Sequence, residues 1–94
     1  MSRNGSSAIV RQGSPLGQAP LRFRGRIHAI DVTDAAGSLP GSEIERRLIE
    51  FGFVEGATVE ILHQGVFGRD PIAVRLNHAT IALRRREAMA IFVS

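Results

Sequence analysis

Cysteine, lysine, tryptophan and tyrosine are all missing from this 94-residue sequence. Without cysteine there is no disulfide, no thiolate metal site and no cysteine nucleophile, a usage that fits a reducing compartment. Without tryptophan and tyrosine the chain cannot line the aromatic groove that proline-peptide modules use. Long apolar runs are also missing. The longest, Ala88 to Val93, is far short of the roughly 20 residues a membrane-spanning helix needs. Arg3 is followed by Ser, Gly, Gln and Pro rather than by the apolar core of a secretory signal. These absences predict a soluble protein with no direct membrane insertion.

What is present is arginine. All twelve basic residues are arginine, and the formal charge is +3. That raises nucleic acid or anionic lipid as a partner, although +3 on a small domain is also ordinary solubility charge. The length suits one domain. Residues 1–19 hold Gly, Ser, Asn, Gln and Arg, with only Ile9, Val10 and Leu16 for apolar content. That is too little burial to offset the entropy of ordering the stretch, so it is expected to be a disordered arm, with the domain at 20–94. A domain this small buries only about 60% of its unfolded surface, and closing a sheet on itself uses few apolar residues and leaves few edges.

From Leu21 to Val32 apolar residues and arginines alternate at first, as in a half-buried strand, with a bend or bulge expected near Gly25. Ile27, Ala29 and Asp31 continue the parity of Leu21 and Phe23. Residues 34–41 read as a turn-rich loop. Ser42 and Glu45 have capping-box spacing, and Ile44, Leu48 and Phe51 form one apolar stripe, which places a helix at about 43–51. Glu43 and Arg47 are spaced for an exposed pair, and Gly52 suits a left-handed cap. Beyond it come Thr58–Gln64, with Val59, Ile61 and His63 on one face, then Ile72–Leu76 and Thr80–Arg84. Residues 85–88 lack alternation and suit one helical turn before the final Met89–Val93 strand. The pattern is mainly β and argues for a small barrel or sandwich.

Three stretches carry a resemblance: Leu48-Ile49-Glu50-Phe51-Gly52-Phe53-Val54-Glu55-Gly56-Ala57-Thr58-Val59-Glu60-Ile61-Leu62, then Gly68-Arg69-Asp70-Pro71-Ile72, then Leu83-Arg84-Arg85-Arg86-Glu87-Ala88. In this order they resemble the FeoA family of small cytoplasmic proteins associated with bacterial ferrous iron uptake. The likeness covers roughly Arg22 to Val93. It implies an SH3-like β-barrel with one helix inserted after the first strand, and a non-enzymatic accessory role beside the membrane iron transporter and its cytosolic G domain. Related domains end some metal-dependent repressors, but the winged-helix segment of such a repressor is not in this sequence. Glu55, Arg69 and Asn77-His78 depart from the family pattern and affect loops rather than the fold.

For docking on the transporter, the expected contact residues are Phe51, Phe53, Val66, Phe67, Arg69 and Asp70. The loop Gly65–Pro71 stands out because Val66 and Phe67 lie between two glycines, either exposed as a contact tip or folded back as a plug. No cofactor is expected. If a divalent transition metal binds, His63 and His78 are its candidate ligands, yet no two histidines share a close motif. Arg84, Arg85 and Arg86 suggest phosphate or an acidic partner, or a solvated turn with Glu87 as counter-charge. A basic small-barrel nucleic-acid binder and a metal-sensing domain are the alternative functions, and self-association stays open. No nucleophile and base stand at a recognisable spacing, so the chain does not read as an enzyme.

Overall fold

The alternation of arginine and apolar residues before Ile27 folds as the strand that joins the two halves of the domain. The computed structural model describes residues 13–32 and 41–94. Its elements are β1 (Ser14–Pro15), a 3-10 turn (Leu16–Gln18), β2 (Arg24–Ile30), α1 (Gly41–Phe51), β3 (Thr58–Gln64), β4 (Ile72–Leu76), β5 (Ala79–Leu83), α2 (Arg85–Ala88) and β6 (Ile91–Val93). The strands pair antiparallel in the order β1-β6-β2-β3-β4-β5. The chain is mainly β with one principal helix, the SH3-like arrangement, and α2 is the expected short turn.

β2 belongs to both halves. Arg24, Gly25 and Arg26 pair with Glu60, Val59 and Thr58 of β3, whereas Ile27 to Ile30 pair with Val93 to Ile91 of β6. The change of partner falls just past Gly25. A Cβ on Gly25 would stand 2.4 Å from the Ser94 carbonyl oxygen, so only glycine lets the C-terminal strand come this close. The bulge lies at His28, between Ile27 and Ala29, and it reverses the faces. Ile27 is buried and Ala29 exposed, so the parity expected for Ile27, Ala29 and Asp31 does not hold. A second register shift, between Ile61 and His63, leaves Val59 and Ile61 in the core and turns His63 to solvent. β4 keeps strict alternation, with Ile72, Val74 and Leu76 buried and Arg75 exposed.

α1 buries Ile44 and Leu48. It starts at Gly41, so Ser42 stands inside the first turn and does not cap it; the residue before Gly41 is outside the described residues. Glu43 pairs with Arg46 at 2.8 Å rather than with Arg47, which reaches Glu87 of α2 at 3.2 Å. Gly52 has φ +106, the expected left-handed terminus. That turn carries Phe53 into the core, where it is fully buried, and leaves Phe51 46% exposed. Phe51 stays on the face of Ile44 and Leu48 but at its exposed edge, while Phe53, past the turn, fills the core.

The domain begins before residue 20. Ser14 and Pro15 pair with Val93 and Phe92, and Leu16 is completely buried. Gly17 packs so closely that a Cβ would meet the Arg85 carbonyl oxygen at 2.2 Å and the Met89 sulfur at 2.8 Å. One leucine in a polar stretch is enough because a tight turn seats it against α2 and β6. The expected arm and loop otherwise fall, at 1–12 and 33–40, outside the described residues.

Candidate partner-docking site

The loop between β3 and β4 is closed at its neck and open at its tip. The Gly65 amide donates to the Pro71 carbonyl at 2.9 Å. A Cβ on Gly65 would lie 2.0 Å from the Asp70 carbonyl oxygen, so the neck tolerates only glycine there. Gly68 and Arg69 both take positive φ, 69° and 58°, and this pair of left-handed residues turns the chain back toward β4. Val66 and Phe67 stand at the turn, 89% and 88% exposed. Phe67 is an exposed tip and not a plug.

Arg85 anchors this loop. Its Nε donates to the Arg69 carbonyl at 2.8 Å, its Nη2 to Gln64 Oε1 at 2.9 Å, and its Nη1 to the carbonyls of Gly17 at 3.2 Å and Ala19 at 2.8 Å. Its backbone amide donates to Asp70 Oδ1 at 2.8 Å. One planar guanidinium thus ties the N-terminal turn, the end of β3 and the loop base to α2, which the fork of donors on arginine permits and a lysine would not. Asp70 is half-buried and spends its carboxylate on α2. Within the arginine triplet, Arg85 is therefore structural, while Arg84 and Arg86 are exposed. Glu87 accepts from the Arg84 amide at 3.0 Å and pairs with Arg47.

Another exposed apolar side chain stands at the end of α1. Phe51 lines a shallow crevice with Ile44, Leu48, Leu83, Arg47 and Glu87. Of the expected contact residues, Phe51, Val66, Phe67 and Arg69 are exposed, Asp70 is engaged at the loop base, and Phe53 is fully buried and removed from any contact surface. Sequence spacing gave no sign of Arg85 as an anchor, since its acceptors are mostly backbone carbonyls.

The candidate metal ligands do not meet. His63 sits near the end of β3. His78 follows Asn77, whose amide donates to the Thr58 carbonyl at the start of β3, so about 17 Å of strand separates the two positions. Among the described residues no three His, Cys, Asp or Glu side chains gather where one ion could be held. The third histidine, His28, bonds the Ser94 hydroxyl through Nε2. A groove of about 360 Å³ lies between Pro15, Gln18, Phe23 and Val93, and no acidic, basic or histidine side chain lines it. No helix among the described residues is long and apolar enough to cross a membrane.

The model of the FeoA domain family matches residues 14–94. Among solved structures, the FeoA-like protein of Clostridium acetobutylicum is 28% identical with a TM-score of 0.71, the match covering 87% of this chain and 85% of that one. The FeoA protein of Stenotrophomonas maltophilia, solved with zinc, is 30% identical with a TM-score of 0.66, covering 84% of this chain and 87% of that one. It is described as an SH3 domain protein and a candidate ferrous iron transport activating factor. A manganese-dependent transcriptional repressor, 20% identical with a TM-score of 0.70 over 89% of this chain and 42% of its own, shares the fold alone. A comparison with curated protein sequences gave no match.

Proposed function

This chain belongs to the FeoA domain family, and we propose that it is a non-enzymatic cytoplasmic accessory protein of bacterial ferrous iron uptake that docks on the transporter's cytosolic G domain and modulates transport. The family match and the description of the Stenotrophomonas maltophilia relative support the iron-uptake role. The observation that carries the docking is the exposed ring of Phe51 over the crevice it shares with Ile44, Leu48 and Leu83, beside Arg47. Aromatic anchors next to arginine are the side chains that dominate protein contacts. In this reading Phe51 and the loop base around Arg69 form the contact.

Titration of the G domain with the Phe51→Asp variant tests the surface. The side chain is half exposed, so the fold should survive, as circular dichroism can verify, while affinity falls about tenfold or more. Affinity equal to that of the unaltered chain removes Phe51 from the contact. The nucleic-acid alternative loses the central member of the arginine triplet to structural bonds, and Phe53 is unavailable for stacking. Metal sensing has no ligand cluster among the described residues.

A further inference from the structure

Val66 and Phe67 are the most exposed large apolar residues among those described, and arginines outnumber acids in the segments around them. Arg69 is exposed beside them. Arg84 and Arg86, both exposed, flank Arg85, whose amide and Nε bond the Asp70 carboxylate and the Arg69 carbonyl at the loop base. The neighbouring acids are engaged: Asp70 accepts from the Arg85 amide, and Glu87 accepts from the Arg84 amide and pairs with Arg47. An apolar tip thus projects from a base that carries more arginine than acid.

We propose that Val66 and Phe67 enter the headgroup layer of an anionic phospholipid bilayer, with Arg69, Arg84 and Arg86 meeting lipid phosphates. Two adjacent side chains at a turn offer far less than the roughly 800 Å² per partner of a stable protein interface, so the tip alone makes a poor protein contact. A fluid interface accepts apolar side chains without shape complementarity, and guanidinium groups pair with phosphate through two parallel bonds. No apolar run of the sequence is long enough to span a bilayer, and contact at headgroup depth needs none. The inference rests on the docking reading for its setting, because the cytosolic face of a membrane transporter borders a bilayer, and it divides the loop: the base meets the transporter and the tip meets lipid.

The test is co-sedimentation of the full chain with vesicles of phosphatidylcholine alone or of equimolar phosphatidylcholine and phosphatidylglycerol, without transporter. Binding is expected to the anionic vesicles only, to weaken with added salt, to fall about tenfold or more in Val66→Ser/Phe67→Ser, and to fall severalfold in Arg84→Gln/Arg86→Gln. Since the chain has no tryptophan, Phe67→Trp supplies a single reporter whose emission should shift to the blue on those vesicles. Failure to bind anionic vesicles, or equal binding by the serine variant, overturns the proposal. A parallel lipid-free titration with the G domain separates the two readings. There the serine variant should bind like the unaltered chain, whereas its loss of binding would place the tip in the protein contact and overturn the lipid assignment while leaving docking intact.

Discussion

Arg85 shows how a side chain can be structural while looking functional. In a run of three arginines its charge suggests a ligand, yet four side-chain hydrogen bonds go to fixed acceptors on three other segments. Replacing it with Ala should destabilise the domain by about 2–3 kcal/mol in urea unfolding, because the half-buried carbonyls it satisfies lose a charged donor. Arg85→Lys should recover little, since one ammonium cannot span four acceptors in a plane. Full recovery by lysine would mean that charge, not the fork, matters. Ser42 makes the opposite point. As an exposed residue inside α1 rather than its cap, Ser42→Ala should change stability by under about 0.5 kcal/mol, where loss of a true cap costs about 1.

At the level of elements, the clean period-2 alternation of Ile72, Val74 and Leu76 and the stripe of Ile44 and Leu48 made β4 and α1 readable from the sequence, because in each a local repeat and the core-facing side coincide. Two bulges were harder. Those at His28 and between Ile61 and His63 shift a face by one residue through pairing with a distant strand, which no local pattern records. The burial of Phe53 is hidden for a related reason: Gly52 redirects the chain, and helical spacing cannot extend past that turn. The 3-10 turn was missed because composition averages over a stretch and Leu16 is a single residue. Leu16→Ala should cost about 2–4 kcal/mol in thermal or urea unfolding, the loss typical of a buried leucine within a folded core. A loss under about 0.5 kcal/mol would return residues 14–19 to the status of an arm.

For the whole molecule, the order of the motifs was more informative than any one of them. A helix ending at Gly52, the Gly68–Pro71 loop and the Leu83–Ala88 strand-to-turn junction together mark the FeoA domain, and the fold places the last two in contact through Arg85. The candidate site was legible where exposure follows from turn chemistry, as at Val66 and Phe67 between two glycines. It was illegible where the fold commits a side chain, as at Phe53 and Asp70. Charge alone proved a poor guide, since one arginine of the triplet is spent inside the molecule.

The central claim is that this domain recognises a protein at the transporter. Calorimetric titration into the transporter's isolated G domain, with duplex DNA titrated in parallel, tests it most directly. Docking predicts saturable heat with the G domain and none with DNA. No heat with the G domain, together with DNA binding that weakens steeply with salt, would contradict it and return the exposed arginines to phosphate recognition.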